Sequence, residues 1–287
     1  MLNLDRIAGC LVGGALGDAI GGAFENQKSP RFGIPRDLRI SDDTQLTMAT
    51  YESIIEQSCV EPAAIAERMA AWYRERRISG IGGSTLKALT ELAAGGHWAM
   101  VGATGERSAG NGAAMRIAPL AFVLDPNDDL DRRTIRDVAR ITHSNDEAYL
   151  GALSMVYAIR ERTLDRSLLA TLIAKLPDSQ MRDRFVEIEN LGLAPRSLAE
   201  KFPPTGFVVD SVPFAVLAAI QSNDLMDSIQ MIVECGGDTD TTCSMYGNLF
   251  GAMHGVGSIP SDIAESIDEY DALFELAQAL SHVVNAR

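Results

Sequence analysis

Basic side chains are scarce in this sequence. Its 287 residues include 25 lysines and arginines against 39 aspartates and glutamates, which gives a formal net charge of −14 at pH 7. Duplex nucleic acid and anionic membranes both bind through a cationic protein surface. The charge balance therefore argues against both as partners. It leaves room for a small phosphate ligand, because backbone amides, helix N-termini and metal ions can hold phosphate.

Cysteine is sparse as well. The four cysteines, Cys10, Cys59, Cys235 and Cys243, include no pair with CxxC spacing, so we expect reduced, mostly buried thiols and a cytoplasmic protein. The N-terminus lacks the basic segment and the cleavage site of a secretory signal. The apolar stretch 7–24 contains Asp18 and many glycines, and we therefore predict that it does not enter a membrane.

Strand patterns are nearly missing, and helical periodicity dominates. The one short strand candidate is 207–209, and no Pro/Ser-rich linker or repeat divides the chain. Since 46% of the residues are hydrophobic, we predict a single all-α domain over residues 1–287. After an N-terminal helix, further helices are predicted at 44–56, 62–74, 85–94, 134–142, 145–162, 168–176, 179–191, 213–221, 225–235, 241–254 and 260–284.

The first predicted helix carries a stripe of small residues. Gly9, Gly13, Gly17 and Gly21 recur at four-residue intervals, so they share one face of the helix. Such a flat face lets a neighbouring backbone approach closely. Glycine lowers helix stability. The stripe therefore predicts a central helix in which close packing, or a role in a functional site, offsets that loss of stability.

Two acidic clusters lie far apart in the chain, and both are typical of helix starts. They are 41–44, with Asp42 and Asp43, and 238–242, with Asp238 and Asp240. Carboxylates beside hydroxyls form the hard oxygen set that Mg²⁺, Mn²⁺ or Ca²⁺ prefers, and neither cluster contains a histidine or a cysteine, so zinc is a poor fit. If the fold joins the clusters, four carboxylates converge and require cations. A two-metal site is therefore one hypothesis.

Helix capping is the alternative interpretation of both clusters. Asp, Ser and Thr are preferred N-cap residues, and Asp42 with Gln45 resembles a capping box. One cap needs only one acid, however, and each cluster has two. A third element, 110–116, has two glycines around Asn111 and runs from loop into helix. It is either a structural turn or a phosphate-binding loop, in which the glycines permit positive φ angles and close backbone approach and the helix start offers free amides. Arg116 is expected to pair with phosphate or with a surplus carboxylate.

Together these elements resemble the ADP-ribosylglycohydrolase family, which includes a nitrogenase-regulating glycohydrolase. The matching pieces follow the family order over almost the whole chain: Gly17-Asp18-Ala19-Ile20-Gly21 with Glu25, Ser41-Asp42-Asp43-Thr44-Gln45, Gly110 to Arg116, Thr142-His143 and Gly236-Gly237-Asp238-Thr239-Asp240-Thr241. One segment departs from the nitrogenase-regulating branch. Where that branch has an aspartate ahead of Gly-Asn-Thr, this chain has 80–85 without an acid.

The resemblance implies an orthogonal all-α bundle, a binuclear Mg²⁺ centre with Mn²⁺ as an alternative ion, and hydrolysis of ADP-ribose adducts. By position, the metal ligands would be Ser41, Asp42, Asp43, Asp238, Asp240 and Thr241. Catalytic residues would be Glu25, Asp42 and Asp43, and the substrate-binding residues Ser108, Gly110, Asn111, Gly112, Met115 and His143. Without the family, His143 would be interpreted as a helix C-terminal cap.

The expected substrate is an ADP-ribosylated protein, with arginine as the favoured acceptor, and the expected product is ADP-ribose. Two other functions stay open: an ADP-ribose-binding or toxin-neutralising protein with secondary turnover, and a two-metal phosphoester hydrolase.

Overall fold

The structure is a computed structural model that describes residues 4–25, 27, 30–105, 108–161 and 164–286. Within these ranges the chain forms 15 α-helices and one parallel pair of two-residue strands, β1 (Ala103–Thr104) and β2 (His143–Ser144). The predicted all-α class is confirmed. The helices α1 to α15 are Leu4–Gly22, Asp42–Gln57, Pro62–Arg74, Gly83–Ala93, Trp98–Val101, Asp129–Arg140, Asp146–Arg160, Arg166–Lys175, Gln180–Leu191, Pro195–Lys201, Val208–Ile220, Leu225–Cys235, Thr239–His254, Ser261–Ala264 and Tyr270–Asn285.

Helix α1 is the central helix, and its glycine stripe packs directly on α13. All of its residues from 7 to 21 are buried. A Cβ added at Gly13 would lie 2.5 Å from the carbonyl oxygen of Gly247, and one at Gly17 would lie 2.1 Å from that of Cys243. Real Cβ atoms do not approach an oxygen so closely, so only glycine permits this backbone-to-backbone contact. The predicted close packing of the stripe is confirmed.

The α1–α13 contact runs antiparallel. Gly9 faces Gly251 near one end, and Gly21 faces Thr239 at the other. The Thr239 hydroxyl also donates to Gly21 O at 2.8 Å. The end of α1 therefore lies beside the start of α13, so that Glu25 comes close to the second acidic cluster.

The predicted strand at 207–209 and the predicted start of the following helix are both wrong. The segment 207–209 is not a strand: apart from a single bridge from Phe207 to Gly110, it leads into α11, which begins at Val208. Pro213, expected at the start of this helix, lies inside it. Because almost every side chain of α11 is buried, packing offsets the lost backbone hydrogen bond.

The C-terminal prediction of one helix over 260–284 is also wrong. The chain forms a short helix, α14, and then α15 from Tyr270, with turns between them. Apolar periodicity over this range does not reveal the interruption, because Ile267 of the connecting turn is itself buried in the core. Helices α5 and α10, and the strand pair β1–β2, have no counterpart among the sequence predictions.

The cysteines of the described structure are all unpaired with one another. Cys10 and Cys243 are buried, and Cys59 and Cys235 are partly buried. None of the helices given above has the length and apolar character needed to cross a bilayer.

Candidate active site

A cleft of about 600 Å³ opens where the starts of α2, α4 and α13 meet the end of α1. Its volume lies within the range of small-molecule sites. Most of its lining residues come from the sequence motifs or the glycine-rich segment 80–85. The full lining consists of Glu25, Gln27, Asp42, Gly80, Gly82, Gly83, Ser84, Thr85, Gly110, Asn111, Gly112, Met115, His143, Thr205, Gly206, Gly237, Asp238, Asp240 and Thr241.

The two acidic clusters meet at this cleft. The Thr241 hydroxyl of the second cluster donates to Asp43 Oδ2 of the first at 3.3 Å. Asp42 lines the same cleft as Asp238 and Asp240, whereas Asp43 is only 1% exposed beneath it. Helix capping would not require the clusters to converge, and so their proximity favours a shared role.

The first cluster is held in place by a buried acid, Asp18 of α1. Its carboxylate accepts the backbone amides of Ser41 and Thr44 at 2.9 and 3.1 Å, and both their hydroxyls at 2.6 Å. Asp18 thus satisfies the free donors at the start of α2 from another helix. This leaves the carboxylates of Asp42 and Asp43 free of the capping role.

Helix capping does not explain the aspartates of the two acidic clusters. The N-cap of α2 is Ser41, so the predicted Asp42–Gln45 capping box is wrong. Gln45 instead bonds to Ser79, accepting from its backbone amide at 2.8 Å, and so ties the segment before α4 to α2. At α13 the N-cap Asp238 makes no side-chain cap bond.

Asp238 is oriented by the third element. Asn111 Nδ2 donates to Asp238 Oδ2 at 2.7 Å. The backbone at Asp238 is fixed by its amide, which donates to Pro204 O at 2.8 Å. The preceding Gly237 has a φ of +88°, and a Cβ there would lie 2.2 Å from the same Pro204 oxygen. Glycine is therefore required at position 237 on two counts.

The electrostatics of the cluster reflect burial of several like charges. Burial, with the charges of Asp18 and Asp240, raises the pKa of Asp42 to about 8. Burial and a hydrogen bond with Asp238 raise the pKa of Asp240 to about 7. The pKa of Asp43 lies well above its usual value, mainly because the group is buried and then because of Asp18 and Asp240. The ionised cluster therefore needs positive charge nearby.

The donor set fits a hard divalent cation. Asp43 Oδ1 is buried without a hydrogen-bond partner, and no lysine or arginine is among the described residues that line the cleft. Carboxylate oxygens of Glu25, Asp238 and Asp240 lie within 4.8 Å of one another. Oxygen-only donors at this spacing suit Mg²⁺ or Mn²⁺, and Glu25 therefore stands as a candidate ligand as well as a candidate proton-transfer group.

The Gly-Asn-Gly element surrounds the ring of His143. A Cβ at Gly110 would lie 2.8 Å from His143 Nε2, and one at Gly112 would lie 2.7 Å from Cε1. Neither glycine has a positive φ, so that expected reason is wrong, whereas the expected close approach is present and is made by the imidazole. His143 itself belongs to β2 and does not cap a helix C-terminus.

Three expectations about this element need correction. Residues 111–113 form a 3₁₀ turn rather than the start of an α-helix, and the Asn111 amide is occupied by Gly206 O at 3.0 Å. Ser108 does not line the cleft, and its hydroxyl donates to Thr104 O at 2.7 Å. Arg116 does not line the cleft and, among the described residues, pairs with no carboxylate, because it is fully buried and donates to Val138 O and Thr142 Oγ1.

Sequence reasoning missed the role of Asp18, which lies buried behind the cleft, and two residues of the cleft lining, Thr205 and Gly206. Asp18 had a signal, namely a lone acid within an apolar helix, but its role depends on the position of α2. Thr205 and Gly206 had none, since they reach the cleft through backbone bonds between 204–208 and the segments at Ala109, Asn111 and Asp238. Such contacts carry no local pattern.

Comparison with known proteins adds an independent observation. The sequence model of a family described as ADP-ribosylglycohydrolase matches residues 2–287. "ADP-ribosylarginine hydrolase Tri1" of Pseudomonas putida is 28% identical over 96% of this chain and 78% of its own. "ADP-ribosylhydrolase ARH3" of Homo sapiens is 24% identical over 98% and 94%. A solved "ADP-ribosylglycohydrolase-related protein complex" covers 98% of both chains with a TM-score of 0.80 at 26% identity.

Proposed function

The chain belongs to the ADP-ribosylglycohydrolase family of hydrolases, and we propose that it removes mono-ADP-ribose from modified protein side chains in a Mg²⁺-dependent reaction. The observation that carries the proposal is the convergence of Asp42, Asp43, Asp238 and Asp240 at one cleft. In this reaction water attacks C1″ of the ribose, the bond to the acceptor breaks, and the acceptor leaves with a proton. The products are ADP-ribose and the unmodified side chain.

The residues that would hold two Mg²⁺ ions are Ser41, Asp42, Asp43, Asp238, Asp240 and Thr241. When bound, the metal supplies Lewis acidity toward hydroxyl and water oxygens next to the reacting carbon. Two further side chains support these ligands, since Asp18 fixes the start of α2 and Asn111 holds the Asp238 carboxylate in one orientation. Such fixed orientation lowers the reorganisation needed in an oxocarbenium-like transition state.

Glu25 is the proposed proton-transfer residue. It follows α1, lines the cleft and is exposed enough to meet solvent. A carboxylate at this place can take the proton of the attacking water or return one to the leaving group. The diphosphate of the substrate is proposed to lie along Gly110, Asn111 and Gly112, with Met115 and His143 lining the same end of the cleft.

Arginine is the first acceptor to test, because the relative from P. putida is named as an ADP-ribosylarginine hydrolase. The cleft wall at 80–85 offers glycines, Ser84 and Thr85 instead of an acid. A peptide panel should therefore carry ADP-ribose on arginine and on serine, beside a phosphodiester substrate, each with Mg²⁺ or with chelator.

Release of ADP-ribose from a peptide only when Mg²⁺ is present would support the proposal. Cleavage of the phosphodiester alone would identify a phosphoester hydrolase. Tight ADP-ribose binding without turnover of any adduct would identify a binding protein. Unchanged turnover in chelator would overturn the metal dependence.

A further inference from the structure

Arg116 is a buried charge that the proposed reaction does not use. It is fully buried, and among the described residues no carboxylate pairs with it. Its Nη2 donates to Thr142 Oγ1 at 2.6 Å and to Val138 O at 3.3 Å, while Nε and Nη1 have no partner. Burying a guanidinium without a counter-charge is costly, and a side chain kept under these conditions calls for an explanation.

Thr142 connects this charge to His143. A threonine hydroxyl has one hydrogen to donate and lone pairs that accept. Because Arg116 can only donate, Thr142 Oγ1 accepts from it at 2.6 Å, and among the described residues the one acceptor within reach of the threonine's own hydrogen is His143 Nδ1 at 2.9 Å. Nδ1 is then an acceptor, and the ring proton is on Nε2.

The ring of His143 lies in the wall of the cleft, with Nε2 on the side of Gly110. His143 is among the residues that line the cleft, and its ring lies against Gly110 and Gly112. Nε2 has no hydrogen-bond partner among the described residues. Burial and then the charge of Arg116 lower the pKa of His143 to about 3, so the ring is neutral and Nε2–H is its single donor.

We propose that Arg116 and Thr142 are positioning residues that lock His143 in the Nε2–H tautomer, so that the ring offers a fixed hydrogen-bond donor to an oxygen of the ligand. That the ligand is an ADP-ribosyl group rests on the proposed function. The tautomer does not, because it follows from the three side chains alone. A fixed tautomer avoids the loss of affinity that a ring populating both tautomers would incur.

The first test needs no substitution. Two-bond ¹H–¹⁵N correlation spectra of the Mg²⁺-loaded protein separate protonated from unprotonated ring nitrogens, and the chain has only four histidines. The His143→Gln variant assigns the His143 signals. We expect an unprotonated Nδ1 and a protonated Nε2. A protonated Nδ1, or an average of both tautomers, would overturn the proposal.

The second test compares Thr142→Val with Thr142→Ser. Valine removes the hydroxyl at similar volume, and serine retains it. We expect Thr142→Val to mix the tautomers and to weaken ADP-ribose binding about tenfold, the effect of one lost hydrogen bond, whereas Thr142→Ser should retain both properties. Mg²⁺ affinity serves as the control, since Thr142 lies outside the acidic clusters, and it should stay unchanged.

Two results separate this proposal from the proposed function. A wild-type protein that does not bind ADP-ribose contradicts the proposed function, and the positioning role is then judged by the tautomer alone. A Thr142→Val protein with wild-type tautomer and wild-type affinity contradicts the positioning role, even if the enzyme is active. If Thr142→Val fails to fold, the wild-type spectrum still decides.

Discussion

The hydroxyl of Thr241 lies 3.3 Å from Asp43 Oδ2, and this contact joins residues 198 positions apart in the chain. Neither residue needs the other for its own helix, because α2 is capped by Ser41 and Asp18 and α13 begins at Thr239. The contact instead brings two oxygen-rich helix starts to one point.

Removing single carboxylates should separate function from folding. Asp42→Ala and Asp240→Ala should each abolish Mg²⁺-dependent turnover, because each removes a proposed ligand, while the melting temperature without metal stays near wild type or rises. Asp128→Ala is the matched control. Asp128 is an ordinary cap of α6 that bonds two amides, so its loss should cost about 1 kcal/mol of stability and leave turnover unchanged. Wild-type turnover in both cluster variants would contradict the metal site.

Stability without metal should fall as the pH rises. Burial raises the pKa of Asp42 to about 8 and of Asp240 to about 7 in the folded state, against 3.8 for an ordinary aspartate. The folded state therefore binds protons that the unfolded state has released, and this contribution is full below about pH 4 and is lost as the pH rises through about 8.

Melting temperatures of chelator-treated protein between about pH 5 and pH 8 measure this loss. Mg²⁺ should restore stability most at the upper end, where the carboxylates are ionised. Asp42→Asn should flatten the profile. A chelator-treated wild type that grows more stable from pH 5 to pH 8, with a profile matching Asp42→Asn, would show that the cluster is not the cause.

Glu25→Gln should distinguish proton transfer from metal ligation. If Glu25 transfers a proton, turnover should fall by roughly 10²–10⁴ while ADP-ribose affinity stays nearly unchanged. Calorimetry and turnover are to be measured on one preparation, with the exposed Glu61→Gln as control. A parallel loss of Mg²⁺ or ADP-ribose binding would instead make Glu25 a ligand, as its proximity to Asp238 and Asp240 allows.

Gly112→Val should weaken ADP-ribose binding by displacing His143. A Cβ at this position would lie 2.7 Å from His143 Cε1, so the ring must move or the turn must open. Thermal shift with ADP-ribose, AMP and ribose phosphate reports the effect, since binding to the folded state raises the melting temperature. Gly257→Ala, whose Cβ would meet nothing within 4 Å, is the control. Equal responses to all three ligands in the wild type would contradict the pocket assignment.

Gly13→Ala should destabilise the fold through the α1–α13 contact. The added methyl would lie 2.5 Å from Gly247 O, a backbone atom that cannot move without separating the helices. We expect a loss of at least about 1–3 kcal/mol. Gly22→Ala, in the same helix with its nearest contact at 3.8 Å, should be neutral or stabilising by up to about 1 kcal/mol. Denaturant unfolding measures both, and equal stabilities would refute the packing role.

The sequence predicts those features that have a local pattern. The glycine stripe of α1 repeats at one helical interval, so its close packing could be predicted without knowing that α13 is the partner. The bounds of α3 and α12 could also be predicted, because apolar periodicity and turn residues mark both ends. The two acidic clusters were recognisable because each has one acid more than a cap needs.

The remaining features depend on contacts between distant segments. Asp18 caps α2, which starts 24 residues later in the chain, because its carboxylate accepts the backbone amides of Ser41 and Thr44. At Gly110 and Gly112 the sequence indicates positive φ angles or a close approach, and only the fold shows that the approaching group is the ring of His143 from another segment. The role of Arg116 has no local signal for the same reason, since only the fold shows that it pairs with no carboxylate of the described residues.

The antiparallel contact of α1 with α13 also sets an order of events during synthesis. The Thr239 hydroxyl meets Gly21 O across 218 residues, so the first helix emerges from the ribosome long before its partner exists. Contacts at such sequence separation slow folding, and partly folded chains expose apolar surface to aggregation meanwhile. The cleft is thus complete only after α13 docks on α1, and ligand binding by a nascent chain would report that docking.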